Sequence, residues 1–268
     1  MRNVTGILAL AGGGGGAGGG GGRRRPPPRG AGAKPKPTIV LVHGAFAESS
    51  SWDAVITKLG RDGYVAKAAA NPLRSVASDA AAVSAIIRSF PGPIVLVGHS
   101  YGGPVITEAA NGNPNVKALV YVAGFAPDTG ESSATLSSMF PGSTLASALA
   151  PVASPNGGQD LFIQPDKFRA QFAADVPEEQ SSLMAATQRP IAQAALAEAS
   201  GVASWKTLPS YMIYGTDDRN IPAAVMSFMA KRAHAVKTVV IEGASHALMV
   251  SHPDEVTSLI EDAASASE

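Results

Sequence analysis

Ser100 stands in Gly98-His99-Ser100-Tyr101-Gly102-Gly103, with one glycine two residues before it and another two after. The apolar run Pro93-Ile94-Val95-Leu96-Val97 precedes this motif, and a segment that reads as helix, 104–110, follows it. A G-x-S-x-G between strand and helix is a nucleophile elbow. Side chains at the two glycine positions would collide with the neighbouring strand and helix. The tight turn lifts the hydroxyl into solvent and sets it at a helix N-terminus, where free N–H groups favour negative charge. The chemistry served by such a turn is nucleophilic attack by a serine.

A serine hydroxyl needs a base, a group that orients the base, and donors for the oxyanion that forms. The chain has five histidines: His43, His99, His234, His246 and His252. His43 and His99 flank tight turns and shape them. His234 lies near a helix end, and His252 precedes Pro253 at a helix start. His246 lies in the small-residue loop Gly243-Ala244-Ser245-His246-Ala247, just after the last strand, and can swing over the elbow. It is the candidate base. The acid is expected on another strand-end loop, Gly215-Thr216-Asp217-Asp218-Arg219-Asn220-Ile221-Pro222, which offers two adjacent aspartates. Composition does not choose between Asp217 and Asp218. The oxyanion donors are the backbone N–H groups of Tyr101 and of Ala45 in His43-Gly44-Ala45-Phe46, where Gly44 permits close approach to substrate.

The elements that must position these groups alternate. Residues 38–42, 64–70, 93–97, 116–122, 210–214 and 238–241 read as strands. Residues 51–59, with Ser51 as candidate N-cap, 75–90, 101–110, 223–233 and 253–264 read as helices. Near-continuous apolar strands between helices imply an α/β fold, a mostly parallel sheet with helices on both faces. Ligands bind such sheets at the carboxyl ends of the strands, which is where His43-Gly44, Ser100, the Gly215–Asp218 turn and His246 fall. The stretch 125–205 is too long for a connection. It reads as an inserted helical cap, with helices at 166–174 and 177–186. Its apolar residues, Met139 and Phe140 among them, either hold the cap together or face substrate. Phe46, Phe125 and Met139 are the candidate pocket residues.

Charge is unevenly spread. Residues 1–37 hold 13 of the 29 glycines and seven basic residues with no acidic one, so the rest of the neutral chain carries −7. Such a tail has too little apolar surface to offset the entropy of ordering and is expected to be disordered. Val4 to Ala11 imitates a signal peptide after Arg2, but the run is short and dissolves into glycine, with no clean cleavage site. A cytoplasmic location is expected, with secretion as the alternative. The tail lacks the interleaved aromatics of a nucleic-acid-binding arm, so no nucleic-acid partner is expected. No apolar stretch reaches 18 residues, so no membrane span is expected. The absence of cysteine rules out disulfides, thiolate metal sites and cysteine nucleophiles. No metal and no organic cofactor are expected.

Residues 38–268 resemble the α/β-hydrolase superfamily through Leu41-Val42-His43-Gly44-Ala45, Gly98–Gly103, the Gly215–Pro222 turn and Gly243-Ala244-Ser245-His246. The family's acid usually appears as G-x-x-D-x-x-[IV]-P, which implies Asp218. Together with Val122-Ala123-Gly124-Phe125-Ala126-Pro127-Asp128, the chain looks most like the small-capped branch of plant methyl-ester hydrolases, hydroxynitrile lyases and bacterial carboxylesterases, feruloyl-type esterases among them. Lyases of that branch tend to carry threonine after the first-loop histidine and lysine after the catalytic one. Gly44 and Ala247 stand there instead. The resemblance thus implies a serine carboxylesterase for small aromatic or short-chain acyl esters, with Ser100, His246 and Asp218 as its triad. A lactonase, a lyase and a non-catalytic small-ligand receptor are the alternatives.

Overall fold

The computed structural model describes residues 35–155 and 157–267. β1 (Thr38–Val42) leads through a 3-10 turn at Ser49–Trp52 into α1 (Asp53–Arg61). β2 (Ala66–Ala69), α2 (Val76–Arg88), β3 (Ile94–His99), α3 (Gly102–Ala109) and β4 (Val116–Val122) follow. A long excursion then carries α4 (Ser133–Ser137), α5 (Leu145–Ala148), β5 (Leu149–Ala153), β6 (Gln159–Ile163), α6 (Pro165–Phe172), α7 (Glu178–Thr187), β7 (Ile191–Ala192) and α8 (Gln193–Ala197). The chain returns as β8 (Ser210–Gly215), α9 (Ala223–Arg232), β9 (Lys237–Ile241), α10 (Leu248–Ser251) and α11 (Pro253–Ser265).

The main sheet has six strands in the order β2-β1-β3-β4-β8-β9, and every pairing is parallel. Every residue of β3 and β8 is buried. A strand buried at every position must be covered on both faces, which explains why its sequence is continuously apolar rather than alternating. The edge strands differ: Lys67 of β2 and three residues of β9 are exposed. Helices α1 and α11 pack together, as do α2 and α3. Ser75 caps α2, its hydroxyl accepting the Ser78 N–H at 3.0 Å. The entry to α1 departs from expectation. Ser51 lies inside the 3-10 turn, and the carboxylate of Glu48 caps it instead.

The order reverses at β1, which has β2 on one side and β3 on the other. A cleft opens at such a switch point beyond the carboxyl ends of the strands. Val42 pairs with Gly98, so β1 and β3 end level, and the loops carrying Ala45 and Ser100 leave side by side.

The excursion between β4 and β8 is helical only in part. Helices α6 and α7 fall where the sequence places them, but β5, β6 and β7 form an antiparallel sheet that was not expected. Three of the five residues of β5 are exposed and one is a proline, so no alternating pattern marks it, and β7 is two residues long. Arg232 of α9 fastens the start of the excursion to the main body, donating to both carboxylate oxygens of Glu131 at 2.6 and 2.8 Å and to the Ala126 carbonyl at 2.9 Å.

Most of the basic tail expected at 1–37 lies outside the described residues. At its end, Lys36 donates to the Asp62 carbonyl and sits 4.1 Å over the Tyr64 ring. No helix among the described residues is long and apolar enough to cross a membrane.

Burial predicts a contrast between two strand residues. Leu96 in β3 is fully buried and Val240 in β9 is 51% exposed. Leu96→Ala should cost about 2–5 kcal/mol through lost transfer energy and a residual cavity. Val240→Ala should stay within about 0.5 kcal/mol. Thermal unfolding of the two variants checks this.

Candidate active site

Ser100 occupies the single turn between β3 and α3 with φ = 54°. A left-handed backbone at a non-glycine residue costs about 1–2 kcal/mol, so the surroundings must enforce it. They do so by contact. A Cβ on Gly98 would fall 2.6 Å from the Gly102 carbonyl oxygen. The chain therefore doubles back on itself at a distance that tolerates no side chain. Ser100 N–H donates to Val122 O, and its carbonyl accepts from Gly103 and Phe125, which locks the turn to β4 and α3.

Two N–H groups flank this serine without an acceptor among the described residues: those of Ala45 and Tyr101. The next amide in the first loop, that of Phe46, is used up on the Arg189 carbonyl at 3.0 Å. Ala45, Tyr101 and Ser100 all line one cavity.

His246 and Asp218 form a buried pair. His246 Nδ1 lies 2.6 Å from Asp218 Oδ2, and both side chains are essentially buried. The other carboxylate oxygen accepts the N–H groups of Asn220 and Ile221 at 2.8 and 2.9 Å. The carboxylate can thus only accept from Nδ1, which leaves Nε2 as the free, basic nitrogen. Nε2 is buried and has no hydrogen-bond partner among the described residues, and no bond joins it to Ser100 Oγ. Such bonds are often long without substrate and tighten when the site is filled. Asp217, the alternative acid, is exposed and spends its N–H on the Ala244 carbonyl.

The cavity measures about 400 Å³. Phe46 and Phe125 contribute to its walls, and Leu145, Leu149 and Phe140 from the excursion roof it. Met139 is not among the lining residues and is 43% exposed, so its place in the expected pocket is corrected to Phe140. The residue after α4 that turns inward is one position further along than the sequence suggested.

A family model described as the alpha/beta hydrolase family matches residues 39–259. The chain belongs to the alpha/beta hydrolase family. Among curated relatives, an alpha/beta hydrolase, nvfD, from Aspergillus novofumigatus is 26% identical over 258 residues, covering 85% of this chain and 97% of that protein. A pyrethroid hydrolase from Sphingobium wenxiniae is 28% identical over 257 residues, covering 85% and 88%. The crystal structure of polyneuridine aldehyde esterase superimposes with a TM-score of 0.75 at 20% identity, covering 85% of this chain and 99% of that one. Such a likeness shows the shared fold.

Several residues brace this site through partners far along the chain; the sequence marked His43 and His99 only as shaping their turns. His99 is fully buried, and its Nε2 lies 3.1 Å from the His246 carbonyl. A carbonyl only accepts, so Nε2 carries the hydrogen. Burial holds the His99 ring well below its ordinary pKa, with His246 and His43 adding to the effect, and it stays neutral. Its ring packs 4.7 Å from that of His246, and Phe172 stands edge-on to His246 at 5.0 Å. The imidazole is therefore part of a three-ring cluster, His99 and Phe172 also meeting each other at 5.9 Å. His43 does the same service for the first loop. Its Nδ1 donates to Gly44 O and its Nε2 accepts Asn71 N–H, while burial lowers its pKa.

Three further side chains complete the frame. Asp175, between α6 and α7, accepts the Ser245 hydroxyl and faces His252 Nε2 at 3.3 Å, which ties both sides of the His246 loop to the excursion. Burial alone would raise the Asp175 carboxyl, but the Ser245 and Ser251 hydroxyls hold it below its usual range. Gln171 of α6 donates to the Arg219 carbonyl and Asn220 Oδ1, bracing the Asp218 turn. Asp79 of α2 is fully buried and accepts the Tyr101 hydroxyl at 3.0 Å together with Arg74 N–H. Burial raises the Asp79 carboxyl, and these hydrogen bonds pull it part of the way back.

Tyr101 therefore serves the site through its backbone and the fold through its side chain. Tyr101→Phe strips one donor from a buried carboxylate and should cost about 1–3 kcal/mol of stability. Turnover of a short ester should stay within a few-fold of wild type. Denaturant unfolding and steady-state kinetics on the same preparation separate the two effects.

Proposed function

We propose that this protein is a serine carboxylesterase for small aromatic or short-chain acyl esters. One observation carries the reading. Ser100, strained at φ = 54°, lines a 400 Å³ cavity with Ala45 and Tyr101, whose N–H groups have no acceptor among the described residues, and the buried His246–Asp218 pair packs against its neighbour His99. A strained serine and two idle donors on one cavity suit acyl transfer.

Ser100 attacks the ester carbonyl while His246 Nε2 takes its proton. Asp218 holds the imidazole in the tautomer that leaves Nε2 free and stabilises the imidazolium. The N–H groups of Ala45 and Tyr101 receive the oxyanion, a contribution of roughly 3–4 kcal/mol per donor in comparable enzymes. His246 then protonates the leaving alcohol, and water enters by the same route to release the acid. Each step uses this chain's own groups, and no metal or organic cofactor takes part.

Two features favour hydrolysis over cyanohydrin cleavage. A Cβ at Gly44 would lie 2.6 Å from Ser100 Cβ, so the hydroxyl-bearing side chain of the similar lyases has no room here. Ala247, fully buried, supplies no cation beside His246. The hydrolase and esterase named among the relatives agree with this choice. The modest cavity supports small substrates, hydroxycinnamate esters at the upper end.

Ser100→Ala should lower kcat on p-nitrophenyl butyrate by about a million-fold while leaving the melting temperature near wild type. A fluorophosphonate should label the wild type at Ser100 and leave the variant unmarked. Retained turnover in Ser100→Ala would overturn the mechanism. A profile across acetate, butyrate, octanoate and ferulate esters tests the substrate class, and a strong preference for octanoate would count against it.

A further inference from the structure

We propose that Phe46 is the wall that limits substrate length: its ring divides the catalytic cavity from a second chamber, and removing it joins the two. The inference deepens the esterase reading and rests on it. Phe46 is the one residue that lines both spaces. The second space measures about 630 Å³, larger than the first. It lies between the Ser49–Trp52 turn with the start of α1 on one side and α7 on the other. Ala54, Leu183, Met184 and Val250 supply apolar surface along it, and Glu48 and Asp53 lie at its polar side. Leu183 is 65% exposed, so the chamber opens to solvent and a chain entering it would have an exit.

The wall is fixed from two directions. Phe46 holds φ = 61°, a left-handed backbone that a bulky residue adopts only where its surroundings enforce it. Its N–H is bonded to Arg189 O at 3.0 Å, and Arg189 pairs with Glu48 at 3.6 Å. The ring is 3% exposed and meets Phe172 edge-on at 6.4 Å. Phe172 in turn packs on His246. A ring held by the first loop, the excursion and an aromatic neighbour does not swing aside for a long acyl chain. With Ala45 as its neighbour in sequence, it stands where the part of the ester remote from the carbonyl would grow. No feature of the sequence separates Phe46 as wall from Phe46 as core; the second chamber does.

The test is a ratio. kcat/KM is measured on p-nitrophenyl decanoate and butyrate, and on decyl and ethyl butyrate to lengthen the alcohol side. The proteins are wild type, Phe46→Ala, Met184→Trp and the double variant, each checked for folding by thermal unfolding. Phe46→Leu serves as the milder change should Phe46→Ala fail to fold. Opening the wall should raise the long-to-short ratio about tenfold or more in one of the series, since each methylene that gains an apolar contact is worth about tenfold or more. Met184→Trp fills the far chamber. It should restore the wild-type ratio in the Phe46→Ala background and leave it unchanged alone. A folded Phe46→Ala or Phe46→Leu protein with the wild-type ratio in both series overturns the proposal, as does failure of Met184→Trp to reverse the gain. Calorimetric binding of decanoate reads the same wall without turnover. If the wild type hydrolyses no ester, the esterase reading falls. The wall then stands on a tenfold gain in decanoate affinity for Phe46→Ala and falls on equal affinity.

Discussion

The site depends on how closely the turn at Ser100 approaches the end of β1. A Cβ on Gly102 would lie 2.5 Å from the Val42 carbonyl oxygen, and one on Gly44 would lie 2.6 Å from Ser100 Cβ. Backbone meets backbone there with no room for side chains. The parallel register that pairs Val42 with Gly98 brings the two strand ends level. The loop after β1 must then run alongside the serine, and Ala45, whose amide has no acceptor among the described residues, lines the same cavity as Tyr101. The donor pair is thus a consequence of sheet order and steric contact rather than of any side chain. This is why a short stretch of glycines carries so much of the chemistry.

The imidazole is held by a different logic. Its loop is a run of small residues with few contacts of its own, so its position is borrowed. Asp218 fixes the ring through Nδ1 and the His99 side chain holds its backbone carbonyl, while Phe172 closes one face. Asp175 grips Ser245 on one side and His252 on the other. Phe172 and Asp175 both come from the inserted segment. The excursion therefore roofs the cavity and also buttresses the base, so changes in its packing reach the chemistry as well as substrate fit. Neutral His99 suits the proposed mechanism, because a charged ring 4.7 Å from His246 would disfavour a positive charge there.

Legibility in the sequence followed the physics of each element. The strands of the main sheet were readable because burial on both faces forces continuous β-branched and aliphatic runs, as in Ile94 to Val97. Their order placed Ser100, Asp218, His246 and Ala45 at one edge; the structure pairs Asp218 with His246 and sets Ser100 and Ala45 on one cavity. The small sheet of the excursion was not readable. β5 is mostly exposed, so nothing constrains its side chains to alternate. Met139 and Phe140 differ by one step at a helix end, and only the path of the chain decides which turns inward. His99, Asn71, Asp79 and Asp175 act through partners 20 or more residues away, and such pairings leave no local pattern.

Several groups near Ser100 depart from ordinary backbone and hydrogen-bonding habit. Ser100 and Phe46 adopt left-handed backbones without being glycine, the His246 Nε2 is buried and unpartnered, and two loop amides have no acceptor. Elsewhere in a folded chain each of these would be a defect, costing about 1–3 kcal/mol. Here Ser100, Phe46, Ala45 and Tyr101 line one cavity. The satisfied groups around them, Asp218 with three donors and Tyr101 on Asp79, are what allows the strain to persist. Scattered over the surface, the same departures would mean little. Gathered at one cavity, the left-handed serine and the two amides are what the proposed acyl transfer would use, the charge they stabilise arriving with the substrate.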